Sequence, residues 1–175
     1  MASSKLRIAI GVILFLLIGG FGIYFFFTKV RLVDKNNLFE LYISGKYSLE
    51  ENDYGSDDTP PLSMFDERKQ VYITGYTYEI PEKEFKKIVL EDMDAVVKQG
   101  AELTSKTKDF KLKSTESYYY SITYKDKKDI EYFRVSHFIK TKKGFYLLDF
   151  VCLKQDKSKY EKDFNKIAKT FKELG

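Results

Sequence analysis

The stretch 145-FYLLDFVCL-153, residues Phe145–Leu153, contains a single charged residue, Asp149, among apolar and aromatic neighbours. A strand that is covered on only one face alternates apolar and polar residues, whereas a strand covered on both faces is apolar almost throughout. The stretch therefore predicts the central strand of a β-sheet that carries packed layers on both sides.

Two neighbouring stretches, residues 117–124 and 130–141, are also rich in aromatic and β-branched residues, which favour strands. Short polar links, residues 125–129 and 142–144, join them to each other and to Phe145–Leu153. Links of this length connect antiparallel neighbours. The three stretches thus predict an antiparallel meander.

Two segments show the apolar spacing of amphipathic helices. The first follows Pro81, which suits the first helical position, and Gly100 can close it. The second begins after Asp156, where Ser158 and Glu161 have the spacing of a capping box. The two buried stripes consist of Phe85, Ile88, Val89, Met93, Val96 and Val97, and of Tyr160, Phe164, Ile167, Ala168, Phe171 and Leu174.

Upstream of the first helix, the pattern indicates further strands. Residues 36–52 predict a hairpin that turns at Ser44 and Gly45, and residues 71–80 predict a strand with a bulge at Gly75. Strands, a helix, a meander and a closing helix predict the α+β class. We expect an antiparallel β-sheet with a central and a C-terminal helix packed on it.

Residues 8–27, IAIGVILFLLIGGFGIYFFF, carry no charge. Twenty residues make about 30 Å of helix, the thickness of a bilayer's hydrocarbon core. No small-residue cleavage pattern follows, and the only cysteine, Cys152, is far away. The sequence therefore predicts one uncleaved transmembrane helix in residues 1–28, a short tether in 29–37 and a soluble domain in 38–175.

The short amino-terminal tail favours a single-pass plasma-membrane protein whose soluble domain lies outside the cytoplasm. The net charge of +4 gives no case for binding nucleic acid. With one cysteine, the chain forms no internal disulfide, so packing alone must hold the core.

No motif of a nucleophile, phosphate loop or metal site is present. His137 is the only histidine and alternates with apolar residues, which favours a structural role over a catalytic base. Cys152 lies in the most apolar strand and is expected to be buried. The acidic residues of the loop 50–58 do not have the spacing of a calcium-binding loop, and we interpret them as solvated. A cation site in this loop is the alternative. We therefore expect no catalytic residue, no cofactor and no metal.

Two surfaces are candidates for binding. Four lysines recur on the outer face of the last helix and could bind anionic lipid or another polyanion, although solvent-facing lysines are common there. They are Lys159, Lys162, Lys166 and Lys169. Tyr118, Tyr119 and Tyr120 could contact a partner protein, the alternative being cross-strand packing.

The chain resembles the PsbP-like family in its order of elements, in residues 144–150 and in the segment Lys169-Thr170-Phe171-Lys172 at the end of the last helix. Thr170 stands where relatives have serine. The family includes extrinsic photosystem II proteins and DcrB-type bacterial envelope proteins. The resemblance covers residues 38–174 and implies a PsbP-like sandwich and a non-catalytic accessory role on membrane complexes. It carries over no metal or cofactor residue.

The expected function is a membrane-anchored, extracytoplasmic, non-catalytic binding or assembly-accessory domain. Its partners would be the lipid bilayer and a membrane or envelope protein. The alternatives are a component of a secretion or conjugation apparatus with an NTF2-like domain, in which helices precede the sheet, and a small envelope hydrolase.

Overall fold

The computed structural model describes residues 28–52, 60–78, 84–109, 112 and 116–174. Within these ranges there are ten strands and two α-helices. Their bounds are β1 Lys29–Val33, β2 Phe39–Ser44, β3 Glu50–Glu51, β4 Leu62–Asp66, β5 Val71–Tyr78, α1 Phe85–Lys98, β6 Glu102–Asp109, β7 Glu116–Lys125, β8 Glu131–Lys140, β9 Phe145–Leu153, α2 Lys157–Ala168 and β10 Lys172–Glu173.

The larger sheet has seven strands in the order β3-β4-β5-β9-β8-β7-β6, and its neighbours pair antiparallel. β9 lies in the middle, between β5 and β8, which confirms the prediction for the stretch Phe145–Leu153. The β7-β8-β9 meander is confirmed as well. β4 was not predicted from the sequence.

The two faces of β9 contribute to two different hydrophobic clusters, as expected for a strand covered on both sides. On one face, Phe150 stacks on Phe164 of α2, with ring centroids 5.4 Å apart. On the other face, Phe145 packs against Phe85 of α1 at 5.1 Å. The structure thus shows the mixed α+β class with one helix on each side of the sheet.

A second, three-stranded sheet has the order β1-β2-β10. The Asp34 carboxylate forms the turn between β1 and β2 by accepting hydrogen bonds from the backbone N–H groups of Asn36, Leu38 and Phe39. The predicted hairpin turn at Ser44 and Gly45 is wrong, because β2 pairs with β1 and β10 rather than with residues after the turn. β1 lies in the segment expected to be a tether.

The stripe of the first helix lies in α1, with Phe85 and Val89 buried. Pro81 lies outside the described residues. α2 begins at Lys157 after a 3₁₀ turn, Lys154–Asp156, and no side chain caps it, so the predicted capping box is not formed. The helix ends at Ala168, and the residues after it turn into β10 instead of extending the helical stripe.

Gly75 does not form a bulge, because its pairing with Leu62 and Leu148 continues the regular register of β5. Its lack of a side chain has a packing role instead. A Cβ atom at this position would lie 2.6 Å from Cζ of Phe39, whose ring is fully buried. The glycine therefore lets β2 approach the larger sheet closely.

The apolar segment 8–27 lies outside the described residues, as do residues 53–59 of the acidic loop. Among the described helices, none has the length and apolar character needed to span a bilayer. The predicted transmembrane helix remains a prediction.

Candidate functional site

The lysine face of α2, defined as Lys159, Lys162, Lys166 and Lys169, is exposed to solvent. On the opposite side of the helix, Tyr160, Phe164, Ile167 and Ala168 are buried against the sheets. The amphipathic spacing of the sequence fixes this orientation, because burying the apolar stripe leaves the lysines outside. The structure thus places all four predicted lysines at the surface.

A groove of about 300 Å³ lies between β2 and α2, beside Thr28, the first described residue. Lys166 lines this groove together with Lys29 and Lys46, while Ile43, Tyr47 and Ile167 supply apolar surface. We call this feature the β2–α2 groove. Its volume is near the lower limit, about 300 Å³, of cavities that hold small ligands. The sequence did not reveal it, because its walls are about 120 residues apart.

One carboxylate, Asp163, lines the β2–α2 groove. Lys46 forms an ion pair with it, Tyr47 donates a hydrogen bond of 3.4 Å to it, and Lys166 Nζ lies 4.0 Å from its Oδ1. Burial, followed by the charge of Asp163, raises the pKa of Tyr47, which keeps its hydroxyl protonated as a donor. With three lysines and one aspartate, the described lining residues carry an excess of positive charge.

Thr170 joins the two walls of the groove. Its hydroxyl accepts a hydrogen bond of 2.8 Å from the backbone N–H of Tyr42, and it lies within donating distance of the carbonyl oxygens of Ile167, at 2.6 Å, and Tyr42, at 3.1 Å. Phe171 then stacks on Phe39 at 5.8 Å. The segment on which the family resemblance rested thus holds the end of α2 to β2.

The three candidate tyrosines do not form one surface. Tyr120 is fully buried, so its ring is not available to a partner. Tyr119 points to the opposite face, where it stacks on His137 at 5.4 Å, and Tyr118 packs against Phe85 of α1. Alternation along β7 explains the split. Partner contact remains a prediction for the half-buried Tyr118 and Tyr119.

A polar cluster under α1 was not recognised from the sequence. Ser136 donates a hydrogen bond of 2.5 Å to Asp149, and Arg134 Nε lies 3.9 Å from the same carboxylate. Arg134 also donates to the Tyr120 hydroxyl at 3.0 Å, and that hydroxyl donates to Asp92 of α1. The sequence feature that could have revealed this cluster is Asp149, the single charged residue in an otherwise apolar strand.

Burial raises the pKa of the Asp149 carboxyl, although Arg134 and the Ser136 hydrogen bond act in the opposite direction. Burial likewise raises the pKa of Tyr120. A second cavity of about 190 Å³ lies between α1 and the sheet, and Asp92 is the only charged residue among the described residues that line it. Because the polar groups of the cluster bond to one another, we interpret them as a connection between α1 and the sheet.

His137 and Cys152, the two residues with reactive side chains that the sequence analysis considered, both lie in the core. His137 is fully buried against Tyr119 and Phe150, and burial lowers its pKa to about 3, although a hydrogen bond with Asn165 opposes the shift. The expectation that Cys152 is buried is confirmed, and burial raises the pKa of its thiol to about 12. Neither side chain lines either cavity described above.

The acidic loop is only partly described. Glu50 and Glu51 form β3, and Glu51 pairs with Lys35 at 3.0 Å, while residues 53–59 lie outside the described ranges. In the part of the chain that the structure describes, no group of three or more histidine, cysteine, aspartate or glutamate side chains is arranged to hold a metal ion.

No protein-family model matches the sequence, and no curated protein matches it either. Among solved structures, the chain is similar to the PsbP protein CyanoP of Synechocystis sp. PCC 6803, with a TM-score of 0.61 and 14% identity over 84% of this chain and 93% of that one. It is also similar to LpqN, a Mycobacterium tuberculosis protein involved in cell envelope biogenesis, with a TM-score of 0.58 and 10% identity over 85% and 91%. The chain therefore has a PsbP-like fold.

Proposed function

We propose that the protein is a membrane-anchored, non-catalytic binding or assembly-accessory domain of the cell envelope, with its folded part outside the cytoplasm. One observation carries the proposal. The uncharged stretch 8–27 ends two residues before β1 begins at Lys29, so no long linker separates the folded domain from a span in that stretch. The domain would then be held at the membrane surface.

The fold and the surface chemistry support this proposal. LpqN, which shares the fold, is described as involved in cell envelope biogenesis. The exposed lysine face of α2 fits a location next to anionic headgroups. Since His137 and Cys152 are enclosed in the core, the residues best suited to acid–base or nucleophilic chemistry cannot reach a substrate.

The alternatives have less support. An NTF2-like secretion component would place helices ahead of the sheet, whereas five strands precede α1 in the described part of the chain. A hydrolase would need a cavity with converging reactive groups. Among the described lining residues, the cavity under α1 offers Asp92 alone, and the β2–α2 groove offers Asp163, which is already paired with Lys46.

Membrane attachment is tested by expressing the full chain in bacteria and extracting the membranes at alkaline pH. We expect the protein to stay in the pellet. Orientation is tested in a Cys152→Ala background with two single-cysteine variants, Ser158→Cys on exposed α2 and Ser3→Cys in the amino-terminal tail. An impermeant maleimide applied to intact cells should label only Ser158→Cys, whereas both variants should react after permeabilisation. Release at alkaline pH, or labelling of Ser3→Cys alone, would overturn the proposal.

The accessory role is tested separately by crosslinking in intact cells followed by detergent extraction. We expect a discrete crosslinked species that contains an envelope protein. Purely monomeric protein at every crosslinker concentration would contradict an assembly role.

A further inference from the structure

We propose that the cavity under α1 binds a small organic cation with a methylated ammonium group, of the type found in choline. The ammonium group would lie against the carboxylate of Asp92 and the ring of Tyr78, which both line the cavity. The site adds a ligand class to the binding role proposed above, and it does not depend on membrane anchoring.

The cavity offers a ligand four side chains that the core does not cover. Tyr78, at the end of β5, is 43% exposed, so its ring is an open aromatic surface. Ile88 and Asp92 of α1 and Leu147 of β9 are half-buried. The other lining residues are aromatic and buried, and they are Phe85, Phe138, Phe145 and Tyr146. A ligand would therefore meet one ring, two aliphatic side chains and one carboxylate.

The charge of Asp92 favours a cation. Its Oδ2 accepts the hydrogen bond from Tyr120, but no lysine or arginine among the described residues forms an ion pair with it. Arg134 lies closer to the other carboxylate of the cluster, Asp149, at 3.9 Å. Two carboxylates and one guanidinium leave the cluster with an excess of negative charge, which a bound cation would neutralise.

One lysine lies near the cavity without lining it. Lys140 Nζ lies 6.0 Å from the centroid of the Phe145 ring and 3.6 Å from Glu116 Oε2. Because Lys140 is paired with Glu116, the charge of Asp92 remains available to a ligand.

The apolar lining selects the kind of cation. A primary ammonium brings three N–H donors, and Ca²⁺ takes about six to eight oxygen ligands. The described lining residues offer only the Asp92 carboxylate and the hydroxyls of Tyr78 and Tyr146 as polar side-chain groups. A quaternary ammonium has no N–H donor to satisfy, and aromatic rings attract its charge.

The size of the cavity fits the same ligand class. Its volume of about 190 Å³ holds about six water-sized groups at ~30 Å³ each. A trimethylammonium group with a short substituent has this size, whereas a lipid acyl chain or a drug-sized molecule needs a larger cavity.

The absence of tryptophan from the sequence allows a direct test. The full-length Tyr78→Trp variant keeps an aromatic ring at the cavity and places the only indole there. Its fluorescence is titrated in maltoside micelles with choline and with dimethylbutanol, the uncharged carbon analogue of choline. We expect choline to half-saturate the change at a concentration at least about tenfold lower. A Tyr132→Trp reporter on β8, outside the cavity, should not respond to choline.

The charge requirement is tested with matched variants on one helix. Asp92→Asn, added to Tyr78→Trp, should abolish the preference for choline, while its amide oxygen can still accept the hydrogen bond from Tyr120. Asp94→Asn makes the same charge change on the exposed side of α1, outside the cavity, and should leave the preference unchanged. Circular dichroism checks that each variant is folded.

Equal half-saturation by choline and dimethylbutanol, no response to choline, or an equal loss in Asp94→Asn would overturn the cation site. The Tyr78→Trp protein in nanodiscs then distinguishes two sources of the ammonium group. A cavity that phosphatidylcholine nanodiscs saturate takes a lipid headgroup, whereas a cavity that still responds to added choline takes a free solute, and both results support the site.

Discussion

Ser136 and Asp149 lie directly opposite each other on the two central strands β8 and β9, and the serine hydroxyl donates a 2.5 Å hydrogen bond to the carboxylate. This pair places a charge at the centre of the sheet, on the face that α1 covers. Arg134 neutralises the charge and extends the cluster to Tyr120 and Asp92. A polar connection at this position fixes how α1 lies on the sheet.

The first prediction concerns the energetics of this pair. Asp149→Leu should destabilise the protein by about 3 kcal/mol or more, because it leaves the largely buried Arg134 without its carboxylate. The double variant Arg134→Met/Asp149→Leu should be less destabilised than the sum of the single variants. Urea unfolding of all four proteins, followed by circular dichroism in mild detergent, measures the coupling, and strict additivity would contradict it.

A second prediction concerns pH. The buried His137 has a folded-state pKa of about 3, below its ordinary value of 6.5, so the unfolded chain binds a proton more readily between these values. Stability is therefore lost as the pH falls from 6.5 toward 3, with a contribution from this residue of up to about 1.4 kcal/mol per pH unit. His137→Leu should remove this contribution. Unfolding free energies at several pH values between 7 and 4 test it, and parallel curves for the two proteins would contradict it.

Gly75 provides a third prediction. Gly75→Ala places a Cβ atom 2.6 Å from Cζ of Phe39 and 3.2 Å from Cβ of Leu62, which should cost about 1–3 kcal/mol by overpacking. Phe39→Leu alone should also destabilise, because it removes the stack with Phe171. Combining the two should recover part of the loss if the Phe39 ring is the obstacle. Melting temperatures of the single and double variants show whether it is.

A fourth prediction concerns Thr170. Thr170→Val keeps the shape of the side chain but removes the acceptor of the Tyr42 N–H, so it should cost about 1 kcal/mol or more. Thr170→Ser retains the hydroxyl and should behave nearly like the natural protein. Amide hydrogen exchange at Tyr42 is a local measurement, and we expect it to accelerate in Thr170→Val only. Unchanged exchange in Thr170→Val would contradict the role of the hydroxyl, and acceleration in Thr170→Ser alone would assign the stabilisation to the methyl group.

The sequence predicted the elements that depend on local pattern and missed those that depend on distant pairing. The succession of apolar residues in β9 identified the central strand, and the apolar stripe of α2 identified its buried face. β10 could not be inferred, because Lys172 pairs opposite Glu40, 132 residues earlier. The β2–α2 groove was missed for the same reason.

Another error came from reading a residue type without geometry. Gly75 in a strand suggested a bulge, although a close approach by another backbone or ring is the second reason for glycine there. For the three consecutive tyrosines, the twofold period of a strand separates Tyr119 from Tyr118 and Tyr120, and this separation follows from the sequence alone. The depth of Tyr120 could not be predicted, because it depends on α1 packing above it.

The arrangement of β2 between β1 and β10 has a consequence for synthesis. β1 and β2 are made together, but the strand that covers the other edge of β2 is translated about 130 residues later. At ordinary translation rates that edge stays open for on the order of ten seconds, and an open edge invites pairing with other chains. Glu40 lies opposite Lys172 in this pairing and places a carboxylate, already paired with Arg31 of β1, beside the open edge until Lys172 arrives. Charged side chains at an open edge discourage pairing with other chains, so we expect Glu40 to protect the nascent chain as well as to bind Lys172 in the finished domain.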